Sequence, residues 1–493
     1  MKNTRVQERD ALKTLRMTTA LLIGDEWVEG DGEQNAVVNP ASEETIAVVR
    51  SATPAQVDRA CASAREAFES ERWSNPKLRQ KCLNRLADLM ERDAVLLGAL
   101  LTQEIGSPVA NRYNQVEANI PFLRWFADAA VKDRKQILPA LPGMVDTQNI
   151  LDYRPLGVVA GILAYNYPLV LLVTKLGAIA AAGCTCVLMP SIQAPLAVLH
   201  FGHLIKEAGF PAGVVNIVVG GIETGRALTL NPDIDKVSFT GSVEVGRRIM
   251  EQAASGIRGV VLELGGKSAA IMLPGVDFSR YAFNLHKRQL QHAGQSCSSP
   301  TRYLVERQRI DEFIEVSRAA YAAIPIGDPW DPEVLVGPVI SRAHRDRVNA
   351  FVDEAVTQGA RVAVGGGRSK EPKGWYVNPA LVVVDDRNLR IAREEIFGPV
   401  GVVIPYDSVD EAVAIANDSA LGLKAYLFGS AAQCRALAPK LRVGTVVING
   451  GAGARFDAPM GGFKQSGIGR EWGEDGMREF LEPQHIDCGE AST

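Results

Sequence analysis

No apolar run in this chain of 493 residues reaches the roughly 18 residues that a membrane-spanning helix requires. The most apolar stretch, from Pro168 to Ala182, is short and is interrupted by Lys175. Net charge is also scarce. Lys and Arg number 53 against 57 Asp and Glu, a balance of −4, which gives no electrostatic case for nucleic acid or an anionic membrane. Nor is there an even cysteine set. Cys61, Cys82, Cys184, Cys186, Cys297, Cys434 and Cys488 are seven and scattered, which argues against a disulfide framework and for a reducing, cytoplasmic compartment. The chain has no repeat of fixed period and no low-complexity segment. Met1 to Arg16 has no apolar core and carries Glu8 and Asp10, against a secretory or mitochondrial signal. Residues 1–20 read as a disordered leader, with Met17 as an alternative start.

What is present is the composition of an ordinary globular enzyme, 46% hydrophobic and 22% charged. The length exceeds what one core supports, so two or three domains are expected. Helical periodicity marks Ala55 to Ser70, Pro76 to Gln103 and Asn114 to Asp133, three helices expected to cover one face of a sheet. An alternation of strands and helices follows. Strands are expected at Gly157–Leu163, Cys184–Leu188, Val214–Val219, Val237–Phe239 and Val260–Leu264. Helices are expected between them at Pro168–Ala182, Ala194–Ala208 and Val243–Ala254. The strands are apolar on both faces, as buried parallel strands are, so the fold class is α/β with a doubly wound sheet. A second α/β domain follows. Its strands are expected at Ala269–Leu273, Arg302–Val305, Ala380–Val384, Val400–Pro405 and Thr445–Asn449. Gly365-Gly366-Gly367 reads as a surface loop.

The chemistry concentrates in Glu263-Leu264-Gly265-Gly266-Lys267 and Gly294-Gln295-Ser296-Cys297. A thiol supplies a nucleophile, and a carboxylate activates the water that releases a thioester. Taken alone, Glu263 reads by default as a structural carboxylate, and Cys297 more often as a small buried hydrophobe than a nucleophile. Small polar neighbours at Gln295, Ser296, Ser298 and Ser299 favour an accessible thiol. Phe239-Thr240-Gly241-Ser242-Val243-Glu244-Val245-Gly246 runs from strand through turn to helix. Ser242 is a candidate N-cap, and the helix N-terminus a candidate pyrophosphate site. Cys184 and Cys186 share one face of a strand and read as core. His200 and His203 have no nearby Asp, Glu or Cys, so no metal site is expected.

Together these segments resemble the aldehyde dehydrogenase superfamily, in order, from about Ile23 to about Glu482. Tyr165-Asn166-Tyr167-Pro168 matches the oxyanion-hole segment, and Glu394-Glu395-Ile396-Phe397-Gly398-Pro399 the nicotinamide-ribose contact. Gly461 to Gly467 matches a segment near the substrate entrance. The resemblance implies a Rossmann-type coenzyme domain over residues 21–131 and 154–263 and a catalytic domain over residues 264–460. Residues 132–153 and 461–493 would form an oligomerisation element and C-terminal segment. It implies Cys297 as nucleophile, Glu263 as general base, Asn166 as oxyanion donor and Lys175 as a supporting lysine. Gly241, Ser242, Gly246, Leu264, Glu395, Phe397, Met189 and Ser191 would hold NAD or NADP. Tyr167, Leu171, Thr174, Ser296, Ser298 and Met460 would line the aldehyde tunnel, with Arg455 as a candidate partner for a substrate carboxylate. A homodimer or homotetramer is implied.

Two departures from the family pattern bear on specificity. The family's Lys-Pro-Ser-Glu is here Met189-Pro190-Ser191-Ile192, which removes both a cation that attracts a 2′-phosphate and an anion that repels one. Coenzyme choice is therefore open, with NAD favoured. Thr174 and Met460 stand where bulky aromatics are common, which predicts a roomy apolar tunnel for a medium-sized aliphatic or aromatic aldehyde. Retention of Glu263 favours release of free acid over acyl transfer to coenzyme A. A semialdehyde or CoA-acylating dehydrogenase and a catalytically idle coenzyme-binding protein are the competing readings.

Overall fold

The computed structural model describes residues 12, 15, 17–139, 141–142 and 148–489. Most of the expected leader therefore lies outside the described residues; within it, Leu15 and Met17 pack against the core. Part of the expected oligomerisation element in 132–153 lies outside them too.

Buried side chains form two separate cores. One gathers residues up to Leu264 together with Ile340, Met477, Phe480 and Leu481; the other draws on residues between Ala269 and Val447. The first surrounds an eight-stranded sheet. Its order is Glu26–Val28, Leu21–Ile23, Val215–Ile217, Thr185–Met189, Val158–Ile162, Lys236–Thr240, Gly259–Glu263 and Gly467–Ile468. Its five middle strands are parallel and flanked by antiparallel edge pieces. The second core surrounds a seven-stranded sheet. Its order is Arg361–Gly365, Ala380–Val383, Val400–Tyr406, Pro300–Glu306, Ser268–Met272, Lys424–Phe428 and Thr445–Ile448. Two strands in it went unread in the sequence. Arg361–Gly365 is an edge strand half exposed to solvent, and Lys424–Phe428 begins on a lysine, which interrupts an apolar pattern.

Local chemistry explains the helices. Thr53 and Gln56 form a reciprocal capping box at the start of Pro54–Glu69. Pro168 opens Pro168–Ala182, and Gly183, at φ +94°, closes it. The long helix expected from Pro76 breaks at Asp93, whose carboxylate is gripped by Arg92 at 2.7 and 2.8 Å, giving Pro76–Arg92 and Ala94–Ile105. The N-terminal helices do not all cover one face. Pro54–Glu69 lies on the first sheet beside Ile222–Leu230, whereas Pro76–Arg92 and Ile120–Ala130 pack as an outer layer on Pro168–Ala182. That helix is thus enclosed on both sides, which is why it is apolar all round.

A third, three-stranded sheet joins Leu481–Cys488, Gln148–Pro155 and Gln136–Leu138. Residues 461–480, grouped by the resemblance with this element, are held elsewhere. Phe463–Lys464 pairs with Leu421–Gly422, Gly467–Ile468 with the first sheet, and Gly473–Arg478 packs on Pro168–Ala182. Strands of two residues carry no period to read. Among the described residues, no helix is long and apolar enough to cross a membrane.

Candidate active site

The carboxyl ends of the first sheet meet the amino ends of the second. Glu263 ends one strand, Leu264 to Lys267 crosses over, and Ser268, Pro300 and Lys424 each begin strands on the far side. A cavity of about 1640 Å³ fills this junction and receives Cys297, Glu263 and Asn166. A crevice at the carboxyl ends of a parallel sheet is where such folds bind ligands.

Two glycines allow the two halves to approach. A Cβ on Gly265 would lie 2.1 Å from the Glu395 carboxylate, and one on Gly266 would lie 2.2 Å from the Cys297 carbonyl oxygen. The Gly266 N–H donates to Glu395 Oε1 at 2.9 Å. Burial pushes the Glu395 carboxyl up to about 7, against that hydrogen bond and the charges of Lys267 and Arg347.

Cys297 sits at the end of a constrained loop. His292, Ala293 and Gly294 adopt φ of +53°, +53° and +73°, and a Cβ on Gly294 would come within 2.2 Å of the Gly398 oxygen. Left-handed backbone at two non-glycine residues costs roughly 1–2 kcal/mol each. The loop is held in it by Gln295, whose Oε1 accepts from the Ile340 N–H at 2.9 Å and the Tyr165 hydroxyl at 3.1 Å. Its Nε2 donates to the His292 carbonyl at 3.0 Å. Asn166 Nδ2 donates to the Gln295 carbonyl at 2.8 Å, which places the amide beside the nucleophile. The thiol is half-buried at the cavity wall; desolvation, then the Glu263 and Glu395 charges, push it up to about 12, while Lys424 opposes them. At rest it is protonated.

Glu263 is buried, and neither carboxylate oxygen has a partner. Desolvation, then the Glu471 charge, hold it well above the usual carboxylate range, against Lys175, Arg470 and Lys424. Lys175 lies behind it, donating to Glu471 at 2.6 Å and to the Ser238 hydroxyl at 2.9 Å. The lysine does not line the cavity; its charge acts on Glu263 from behind, beside Glu471. Nothing in the sequence signals Glu471, which a β-bridge to Met460 holds in place.

The remaining residues divide by position. Gly241, Ser242, Leu264, Phe397, Met189 and Ser191 line one arm of the cavity. Ser242 caps the helix Val243–Ala254, its hydroxyl accepting from the Val245 N–H at 3.3 Å, which leaves the helix N-terminus facing that arm. Gly246 is not in the lining. Its missing Cβ makes room for Leu264, which would lie 2.8 Å from it, so the glycine fits helix to sheet and not ligand to protein. The arm suits a dinucleotide: backbone N–H groups at a helix N-terminus for phosphates, a Glu395 carboxylate held by Gly266 as acceptor for ribose hydroxyls, and the Phe397 ring, fixed edge-on to Tyr165 at 5.9 Å, for a flat ring.

Tyr167, Leu171, Thr174, Ser296, Ser298 and Met460 line the other arm. It is less roomy at Thr174 than the sequence predicts. Trp472 Nε1 donates to Thr174 Oγ1 at 3.0 Å, and the indole stands edge-on to Phe122 at 5.7 Å. The aromatic bulk expected at position 174 is supplied from elsewhere in the chain. Arg455 lies at the rim, its side chain 74% exposed and bidentate to Asp457 at 2.6 and 2.8 Å, so its charge is already answered. Arg288, Lys424 and Tyr426 line this arm unforeseen. Among the described residues, no group of three or more His, Cys, Asp or Glu is arranged for a metal ion.

A thiol that can take up a carbonyl carbon and a carboxylate able to take a proton from water share one dinucleotide cleft. That defines an oxidoreductase that converts aldehydes to acids through an acyl-enzyme. Comparison places the chain more closely. The Aldehyde dehydrogenase family profile matches residues 27–486. A cytosolic aldehyde dehydrogenase of Rattus norvegicus is 38% identical over 472 residues, 94% of this chain and 93% of that one. Betaine aldehyde dehydrogenase of Staphylococcus aureus, solved with NAD+, superimposes with a TM-score of 0.94 at 34% identity, covering 98% of this chain and 97% of that chain. A Pseudomonas syringae aldehyde dehydrogenase variant solved with NAD+ and octanal gives 0.91 at 36%, covering 95% and 96%. The chain belongs to the aldehyde dehydrogenase family, NAD(P)-dependent oxidoreductases that turn aldehydes into carboxylic acids.

Proposed function

We propose that this enzyme oxidises an aldehyde to the free acid with NAD, Cys297 carrying the acyl group and Glu263 releasing it. The observation that carries the reading is the Glu263 carboxylate, buried with both oxygens unpartnered in the cavity that holds Cys297. A buried acceptor without a protein partner is costly unless a reactant uses it.

The Cys297 proton passes to solvent, its sulfur bonds the aldehyde carbon, and the carbonyl π pair moves onto oxygen. The oxyanion that forms is held by the Asn166 amide and the Cys297 N–H. A bound nicotinamide would supply the acceptor for the hydride that leaves the adduct carbon, which leaves a thioester on Cys297, and Glu395 and Phe397 would hold its ribose and ring. Glu263 then takes a proton from water, the hydroxide adds to the thioester carbon, and the Cys297 sulfur leaves, taking that proton from Glu263 to return to a thiol. The raised affinity of Glu263 for a proton makes it a stronger base than an exposed carboxylate. Lys175, paired with Glu471, tempers that shift so the carboxylate still ionises.

NADP is the second reading, because Arg226 lines the arm near Met189 and Ser191 and offers a cation for a 2′-phosphate. We place the enzyme in the cytoplasm, in keeping with seven free cysteines and the cytosolic relative. We assign it a homodimer or homotetramer built on the three-stranded sheet, where the edge strand Gln136–Leu138 exposes Ile137. The test is an aldehyde panel with both coenzymes, product identified as free acid, and Cys297→Ser as control. Acyl-CoA formation in place of acid, or full turnover by Cys297→Ser, overturns the assignment.

A further inference from the structure

The mechanism leaves several cations of the cavity unused, Lys424 and Arg288 among them. Lys424 begins the strand Lys424–Phe428, and the strand period puts Lys424, Tyr426 and Phe428 on one face; all three line the cavity. The Tyr426 hydroxyl donates to the carbonyl of Ser298, the residue after Cys297, at 2.7 Å. Lys424 therefore stands two residues, roughly 6–7 Å of strand, from a side chain that touches the nucleophile loop. It is 6% exposed, and its Nζ donates to the Gly453 carbonyl at 2.7 Å. No ion pair reaches it among the described residues. An ammonium has three donors, and a buried cation with one neutral acceptor keeps much of its desolvation cost. Burial accordingly lowers Lys424 to about 8, against the nearby Cys297 and Glu263.

Arg288 is its neighbour in the same arm. Its guanidinium stands 5.7 Å from the Tyr426 ring centre and donates at 3.3 Å to the Ala452 and Gly451 carbonyls, with no carboxylate partner among the described residues. Arg280 and Lys287 line the cavity as well. Glu263 and Glu395 have roles in the reaction, Glu471 faces Lys175, and Arg455 is neutralised by Asp457.

We propose that Lys424 and Arg288 form a receptor for a carboxylate carried by the substrate itself, so that the preferred substrate is a semialdehyde with an aldehyde at one end and a carboxylate at the other. The inference rests on the aldehyde-oxidising reading above. A carboxylate exchanges the neutral carbonyl partner of Lys424 for a charge-assisted one, and the planar Arg288 fork matches it. Tyr426 and Phe428 supply an apolar wall for the carbons between the two ends.

Matched pairs test this in the full-length enzyme: butanal against 4-oxobutanoate, and benzaldehyde against 4-carboxybenzaldehyde. The wild type should favour the carboxylate member of a pair by about tenfold or more in kcat/KM, chiefly through KM. Lys424→Met and Arg288→Met should each cut that ratio by about tenfold, and Lys424→Arg should keep most of it. The proposal is overturned if the wild type favours the neutral members, or if the ratio survives both substitutions. It is also overturned if Lys424→Met lowers kcat equally for both members and shifts the pH dependence of Cys297 alkylation by iodoacetamide, because Lys424 then acts on the thiol. Neutral members remain substrates when the receptor alone is wrong. Loss of every aldehyde in the wild type instead sinks the underlying reading.

Discussion

The side-chain amide of Asn166 is fastened to the carbonyl of Gln295, two residues before Cys297, at 2.8 Å. The donor and the loop that bears the nucleophile therefore move as one body, and Gln295 ties that body to Tyr165 and Ile340. A donor fixed before reaction needs no reorganisation when charge develops. Asn166→Ala should lower kcat about a hundredfold to a thousandfold, as removal of an oxyanion donor does elsewhere. The melting temperature should fall little, since Gln295 keeps its other bonds. Steady-state kinetics and calorimetry separate the two effects, and an unchanged kcat would remove Asn166 from the oxyanion site.

Cys297 and Glu263 approach from different sheets and act in successive steps. Cys297→Ala should abolish turnover. Glu263→Gln should leave acylation and show a stopped-flow burst of reduced coenzyme near one equivalent per site, followed by slow release. The pH dependence has a definite sign. Burial holds Glu263 protonated above the usual carboxylate range, and the base works only when ionised. Deacylation should rise with pH through that raised value and lose its dependence in Glu263→Gln. A burst-free variant with normal steady-state rate would refute the assignment.

Lys175 and Glu471 lie 2.6 Å apart and both are buried. Lys175→Met leaves Glu471 as an uncompensated buried charge, a change that costs about 3–5 kcal/mol in comparable pairs. It also removes a cation that lowers Glu263. The variant should melt lower, and its deacylation profile should move to higher pH. A double variant Lys175→Met/Glu471→Gln should recover much of the stability, which equilibrium unfolding in urea would show.

The sequence-level reading singled out Cys297, Glu263 and Asn166, which the fold brings to one cavity, because each lies in a local motif near a strand end. It reached the first sheet because its strands are apolar runs spaced by periodic helices. What it missed is long-range. Glu471 meets Lys175 across 296 positions, and Trp472 fills the space beside Thr174 across 298. Neither relation leaves a local pattern. Lys424 left one, a lysine opening an apolar strand, and that interruption is also why the strand went unread. Gly246 shows the opposite case, a glycine in a recognisable turn whose use is packing against Leu264.

Coenzyme affinity should depend on pH through Glu395. Burial raises its carboxyl to about 7, and the ionised form is the better acceptor for ribose hydroxyls and the Gly266 N–H. Its proton is lost as pH rises, so coenzyme should bind more tightly at about pH 8 than at about pH 6. Fluorescence titration at both values checks this, and Glu395→Gln should flatten the difference.

The coenzyme arm carries the last prediction. Met189 and Ile192 replace a lysine and a glutamate with apolar side chains, while Arg226 remains as a cation along the same arm. Ile192→Glu restores an anion that accepts from ribose hydroxyls and repels a 2′-phosphate. A hydrogen bond to a charged group contributes about 1.5–3 kcal/mol, or roughly tenfold to a hundredfold in affinity. The kcat/KM ratio for NAD over NADP should rise by about that factor. Met189→Lys should move the ratio the other way, and Arg226→Ala should lower activity with NADP more than with NAD. If neither Ile192→Glu nor Met189→Lys moves the ratio, the adenosine ribose does not sit at this end of the cleft, and the orientation drawn from Glu395 and Phe397 must be reversed.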